Sequence, residues 1–391
     1  MVVIKGVSAK SILDSRKEKT IFISIKTNVG DFSASAPNGK STGKFEVKSY
    51  KKDLEGDIKA LKDFSEYFSD ENIDNLKDLR RIEDIVEGHI GANSLFALES
   101  SILKAIAKEK KKQIWQIINP KLKSAKMPRL VGNVIGGGKH SIENLKTDKN
   151  PDFQEFLLIP KLNIKKSLEK NNKIKSELKI DLKRVDEDFK EEKNDENAWK
   201  TSLNEKEVLD LLKNVGVDIG IDVAASSFYK RGKYHYQNPM LDRNSGEQSF
   251  YLGSLIKNYN LYYIEDPFDE NDFDSFVKLL KKYPEKLIVG DDLIVTNSKR
   301  LEKAIEKKAV NAIIVKPNQC GSLLEVARVC ELAKNNKIKI VFSHRSGETE
   351  EDILADLAFG FQADFFKCGI DGKEREAKLN RLAEIEKSLN K

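Results

Sequence analysis

The sequence predicts an α/β protein in two parts, a small α+β domain followed by an α/β barrel. Three observations carry that prediction. First, the runs Asp218-Ile219-Gly220-Ile221-Asp222-Val223, Tyr262-Tyr263-Ile264-Glu265 and Ile288-Val289-Gly290-Asp291 are short and apolar and reach a carboxylate at or near their ends, the form of a buried parallel strand whose C-terminal tip meets a polar rim. Second, from residue 216 onward strand and helix patterns alternate. Charged tips recur at Asp222, Glu265, Asp291, Lys316, His344 and Lys367, 23 to 43 residues apart, where a barrel of βα units spends roughly 30 residues per unit. Third, the first 118 residues place strands before helices, the order of an α+β domain.

The elements follow in order. Residues 20–27 alternate in polarity, turn at Asn28-Val29-Gly30-Asp31 and alternate again over 32–36, an antiparallel hairpin. The loop Pro37-Asn38-Gly39-Lys40-Ser41-Thr42-Gly43-Lys44 then offers glycines, hydroxyls and backbone donors of the kind that cradle a phosphate or simply form a polar loop. Residues 52–118 read as helical, with Asn93 the expected N-cap of the run 97–107. The polar stretch between Pro120 and Pro128 sets the boundary, giving domains 1–124 and 125–391. Strands are expected at 130–135 and 153–160, and Glu155 interrupts the second, where a buried charge needs a partner. Residues 161–194 are Lys/Glu/Asn-rich and read as a helix with solvated faces. Beyond 216, right-handed βα units gather the six tips on one face of the barrel.

Composition excludes some functions. The chain has 391 residues with 39% hydrophobic and 34% charged. Its longest apolar run falls well short of the ~18 residues of a membrane span, and Met1-Val2-Val3-Ile4-Lys5-Gly6 lacks the form of a signal peptide. Three cysteines at no metal-ligand spacing suit a reducing compartment, so a cytoplasmic location is expected. The net charge of +6 arises from 69 basic against 63 acidic residues, with no basic block interleaved with aromatics; a pocket for a small anion is expected rather than a nucleic-acid surface.

Three carboxylates at equivalent strand tips, Asp222, Glu265 and Asp291, without histidine or thiolate, suit a hard cation, first of all Mg²⁺. Each alone also reads as a strand-end cap. Lys316 ends an apolar run, and beside a dication its protonated form is disfavoured, so that it can act as a base; Lys367 is placed similarly. Ser343-His344-Arg345-Ser346-Gly347-Glu348 is a dense polar cluster in which an arginine fork can grip phosphate or carboxylate. Together the pieces suggest metal-assisted removal of a proton α to a carboxylate on a phosphorylated substrate.

Over essentially its whole length the chain resembles the enolase family. The resemblance is carried by Leu13-Asp14-Ser15-Arg16, Gly39-Lys40-Ser41-Thr42-Gly43, Asn133-Val134-Ile135 with His140, Gln154-Glu155-Phe156, Asp195-Glu196, Ile221-Asp222-Val223, Ile264-Glu265-Asp266-Pro267-Phe268, Val289-Gly290-Asp291-Asp292-Leu293, Lys316 with Asn318-Gln319, and Ser343-His344-Arg345-Ser346-Gly347. It implies an α+β cap on an α/β (TIM-like) barrel and dehydration of 2-phosphoglycerate to phosphoenolpyruvate with two Mg²⁺. It implies Asp222, Glu265 and Asp291 as metal ligands, Lys316 as base, and Lys367 stabilising the enolate. It further implies Glu196 as acid with Glu155 beside it, and Arg345 and Ser346 as a phosphate clamp with His344 adjacent. Ser41 would close over the second metal, His140 and Gln154 would line the pocket, and a homodimer or assembly of dimers would form.

The mobile loops depart from the family. Asn38-Gly39-Lys40-Ser41-Thr42-Gly43 stands where Ser-Gly-Ala-Ser-Thr-Gly is usual, Asp195-Glu196-Asn197-Ala198 replaces Asp-Glu-Gly-Gly, and Lys139 precedes His140. Because loops govern closure and substrate choice, two alternatives stand beside the enolase reading. One is a paralogue acting on another phosphorylated carboxylic acid; the other is a catalytically weak binding protein.

Overall fold

The structure, a computed structural model, describes residues 1–40, 43–69, 71–122, 126–138 and 149–389; the expectations for Ser41, Lys139 and His140 lie outside them. The chain opens with β1 (Val2–Leu13), β2 (Lys19–Thr27) and β3 (Gly30–Ser35), an antiparallel meander edged by the two-residue β4 (Asn72–Ile73) in the order β3-β2-β1-β4. Ile21, Ile23 and Ile25 are fully buried at two-residue spacing, and the helix Ala92–Glu109 covers that face. This helix corrects the expected cap: Gly91, not Asn93, precedes its first turn. A Cβ at Gly91 would lie 2.4 Å from the Tyr50 Cα, so only glycine fits. Asn93 lies inside the helix, where its amide donates to Asn38 Oδ1 (3.2 Å) and accepts from Asn318 Nδ2 (2.9 Å), joining this part of the chain to the barrel.

Among the described residues the second part forms a closed ring of eight strands: β5 (Arg129–Gly136), β6 (Glu155–Ile159), β8 (Asp218–Asp222), β12 (Tyr263–Glu265), β13 (Leu287–Gly290), β14 (Ala312–Val315), β15 (Lys339–Ser343) and β16 (Phe365–Gly369), closed by β16 pairing with β5. A short β7 (Trp199–Lys200) flanks β5. The barrel strands beyond residue 216 all run parallel to one another, and the departure from a uniformly parallel barrel lies before them. β6 runs antiparallel to both neighbours, with Glu155 opposite Gly136 on one side and Asp222 on the other. The reversal has a consequence for Glu155, which does not interrupt a strand but opens one. Since β6 points the other way, its first residue lies at the rim where its neighbours end. An element the sequence did not announce, the small sheet β9 (Tyr229–Lys230), β10 (Lys233–Gln237) and β11 (Met240–Arg243), follows β8.

The two-residue strand period builds the barrel interior. Val131, Leu157, Tyr263, Val289, Ala312, Ile314, Val341 and Phe365 form one enclosed apolar cluster, whereas their alternates Phe156, Ile221, Ile264, Ile288, Ile313, Phe342 and Phe366 belong to the larger core outside the barrel. Two residues further towards the rim on the inward register stand Asn133, Glu155, Glu265, Asp291, Lys316, Ser343 and Lys367, with Asp222 paired beside Glu155 and Glu265. The apolar plug thus supports a layer of charge directly above it.

Candidate active site

Lys367 is the hub of that layer. Its ammonium, 2% exposed, donates to Asp222 Oδ2 and to both Glu265 oxygens at 2.9 Å and pairs with Glu155 Oε2 at 3.2 Å. Burial alone would discourage its charge, but Asp222, Glu155 and Glu265 outweigh burial and hold its pKa well above the usual lysine value. Gln154 donates to Asp222 Oδ2 at 3.3 Å, and the Tyr263 hydroxyl donates to Glu265 Oε2 at 2.7 Å.

Further round the ring, between the tips of β14 and β13, Lys316 donates to Asp291 Oδ2, while Gln319 donates to Asp291 Oδ1 at 3.2 Å. Thr296 fixes this corner, accepting the Lys316 N–H (2.9 Å) and donating to Gln319 Oε1 (2.7 Å). Burial is the largest influence on Lys316 and lowers its pKa, yet Asp291 and Glu265 more than offset it, so the ammonium is held above its ordinary value. The same contact keeps Asp291 below the ordinary carboxylate value against the opposite pull of burial.

The expected trio of acids does not meet at a single point. Asp222 and Glu265 meet through Lys367, and Asp291 faces Lys316. Among the described residues, the acids whose ligand atoms all fall within 4.8 Å of one another are Asp266, Asp291 and Asp292. Asp266 has a structural duty there, its two oxygens accepting the N–H groups of Asp291 (2.9 Å) and Asp292 (2.7 Å) and so shaping the tip of β13. The donor set still fits a divalent cation. Glu155, Asp222, Glu265 and Asp291 are buried around two lysines. Burial, then the adjoining Asp222, pushes the Glu265 carboxyl up to about 8, and burial and Glu196 push Glu155 well above its ordinary value. Four carboxyl groups against two ammonium groups leave room for further positive charge, which a dication bound by oxygen ligands would supply.

On the β5 side, Asn133 donates to Glu196 Oε2 at 3.0 Å and His344 Nε2 lies 3.6 Å from the same oxygen. Burial, the largest influence, lowers the His344 pKa and favours neutral imidazole. Asp195 lies 3.6 Å from the Lys40 ammonium, so two of the stretches that depart from the family pattern touch. Of the expected phosphate clamp, Arg345 is gripped by Glu46 at 3.1–3.2 Å, and Ser346 Oγ accepts from Arg16 Nη1 at 2.8 Å. Arg375, fully buried, donates to Ser15 Oγ, Asp195 O and Ser346 O and ties three loops together. Sequence reasoning assigned no role to Glu46 or Arg375. The polar Asn133 in an apolar strand was a signal that could have marked the anchor of Glu196.

A closed α/β barrel, capped by a separate α+β layer and carrying acids and lysines at one rim, defines a barrel enzyme with its site at the strand ends. Residues 124–391 match the family model described as the enolase C-terminal TIM barrel domain. The chain is 36% identical to the enolase of Methanosphaera stadtmanae, covering 99% of this chain and 97% of that one. It is 35% identical to the enolases of Natronomonas pharaonis (99% of each) and Pyrobaculum aerophilum (96% and 92%). The chain belongs to the enolase family, and is a hydro-lyase.

Proposed function

We propose that the protein catalyses the reversible dehydration of 2-phosphoglycerate to phosphoenolpyruvate with Mg²⁺, two ions per site. The observation that carries this reading is the placement of Lys316 and Glu155. Their strands, β14 and β6, stand four places apart in a ring of eight, hence on opposite sides of the rim. A base on one side and carboxyls on the other suit removal of a proton and departure of hydroxide from adjacent carbons.

Asp222, Glu265 and Asp291 would hold the first ion, whose positive charge would offset the negative charge that builds up on the substrate carboxylate as the proton leaves. Without the cation Lys316 is an ammonium paired with Asp291; a dication on Asp291 would compete for that carboxylate and favour the neutral amine, whose Nζ would then accept the C2 proton, and Lys367 contributes a fixed ammonium in a water-poor site, where such charge is most effective. As the C3–O bond breaks, the departing hydroxide takes a proton from Glu196 and leaves as water. Glu155, whose carboxyl is pushed up by burial and by Glu196, stands beside it. Arg345 with Ser346 takes the phosphate, and Gln154 and His344 shape the pocket. The family resemblance also supports Ser41 and His140 in this site, a division into cap (1–124) and barrel (125–391), a homodimer or assembly of dimers, glycolytic use and a cytoplasmic location; the described residues contain no helix long and apolar enough to cross a membrane.

The direct test is formation of phosphoenolpyruvate, followed by ultraviolet absorbance, with and without Mg²⁺; no turnover with saturating Mg²⁺ and 2-phosphoglycerate would remove the proposal. The contact of Lys40 with Asp195 favours a second reading, a paralogue for a different phosphorylated carboxylic acid. A sharp rise in 2-phosphoglycerate turnover in Lys40→Ala would support it, and unchanged or lower turnover favours the first.

A further inference from the structure

Arg345, read above as the phosphate clamp, has its fork filled by the protein itself. Nη1 donates to Glu46 Oε2 at 3.1 Å and to Asn318 Oδ1 at 3.3 Å, while Nη2 donates to Glu46 Oε1 at 3.2 Å and Oε2 at 3.1 Å. Both side chains are buried, the guanidinium 4% and the carboxylate 8% exposed. The remaining edge is covered by Gly39, where a Cβ would fall 1.9 Å from Nη2 and 3.0 Å from Nε. Glu46 is itself held in aim, because Oε1 also accepts the Gly43 N–H at 3.0 Å. The stretch around it is pinned to the barrel by backbone bonds, Asn38 N–H to Gly347 O (2.7 Å) and Val47 N–H to Gln319 O (2.9 Å).

A two-oxygen anion on an arginine fork is the arrangement a bound phosphate would adopt. An anion arriving from solution therefore meets a guanidinium whose terminal donors are already engaged by a charge-assisted pair. We propose that Glu46 is an internal counter-anion on the phosphate fork of Arg345, and so a specificity-determining residue: the fork passes from Glu46 to the substrate's phosphate. The inference rests on the reading of Arg345 as the phosphate clamp. It gives a physical basis for selectivity, because a monoanion arriving at the fork merely replaces one carboxylate by another, whereas a dianionic phosphate brings more charge and more acceptors than it displaces. It also assigns a purpose to the buried acid, whose presence on a substrate-binding arginine otherwise only weakens substrate binding.

The test measures inorganic phosphate binding by calorimetry, with Mg²⁺ held constant, in wild type, Glu46→Gln, Glu46→Asp and Arg345→Lys. Removing the charge of Glu46 should tighten phosphate binding about tenfold, equivalent to ~1.4 kcal/mol. Glu46→Asp, which keeps the charge but shortens its reach, should fall between wild type and Glu46→Gln. A residue that merely positions Arg345 gives the opposite sign, weaker binding on removal. If Glu46→Gln fails to fold, the aspartate variant decides: tighter binding supports the inference, and unchanged or weaker binding overturns it. Arg345→Lys should weaken phosphate binding at least tenfold. If it does not, the clamp reading falls and this inference with it. If Arg345→Lys weakens binding while Glu46→Gln leaves it unchanged or weakens it, the inference alone falls.

Discussion

Lys367 and Glu265 meet head-on at the barrel rim, the ammonium 2.9 Å from each carboxylate oxygen, with Asp222 at the same distance and Glu155 at 3.2 Å. One cation thus stands among three buried acids. Removing one member of a buried ion cluster leaves uncompensated charge, which typically costs about 3 kcal/mol or more. Lys367→Met should therefore destabilise the metal-free protein by about 3 kcal/mol, read as a lower urea midpoint. Added Mg²⁺ should restore part of the loss, since a ligand that binds only the folded state stabilises it. Equal midpoints for wild type and variant without metal would show that the acids do not depend on this ammonium.

Asp291 provides the sharper test of the metal site, because Lys316 and Gln319 already hold its two oxygens in place. Asp291→Asn keeps the shape and removes the charge. Calorimetry should show Mg²⁺ affinity falling about tenfold or more, a loss of at least ~1.4 kcal/mol. Wild-type affinity in the variant would exclude Asp291 as a ligand.

A second buried acid pair, Asp152 and Glu205, sets a pH dependence. Asp152 donates its N–H to Glu205 Oε1 at 3.0 Å, and the Tyr251 hydroxyl lies 3.4 Å from Glu205 Oε2. Burial, then the charge of Asp152, pushes Glu205 up to about 8 from an ordinary 4.5. The folded state therefore keeps a proton that the unfolded chain releases. The resulting contribution is complete below the ordinary carboxylate value and is lost as pH rises through about 8. Unfolding free energy should fall between about pH 4.5 and about pH 8, and Glu205→Gln should show a shallower fall. An identical slope in the variant would remove Glu205 as the cause.

Much of the rim was legible because strand period and strand end coincide there. Asp222, Glu265, Asp291 and Lys316 each stand at the end of an apolar run, so a reader who sees the strand also sees the tip; Lys367 sits within β16 on the inward register of Phe365. Glu155 was legible as an anomaly and not as a position, since the reversal of β6 depends on pairing to Asp222 and Gly136 that sequence order does not reveal. Glu46 was invisible for a related reason. Its partner Arg345 lies 299 residues further along the chain, and a glutamate in a polar loop carries no local mark of a distant contact. Arg375 was hidden in the same way, a buried cation in a helix rich in charge. Asn93 shows the converse, a plausible local cap recruited instead for contacts with Asn38 and Asn318.

Lys316, held at the strand tip against Asp291, is the group proposed to take the C2 proton. The most direct measurement is incorporation of deuterium at C2 of 2-phosphoglycerate in heavy water with Mg²⁺ present, comparing wild type with Lys316→Ala. Loss of a base in this position should slow exchange by about a thousandfold or more, while the variant still binds Mg²⁺ and unfolds cooperatively. Exchange at the wild-type rate in a folded, metal-binding Lys316→Ala protein would contradict it.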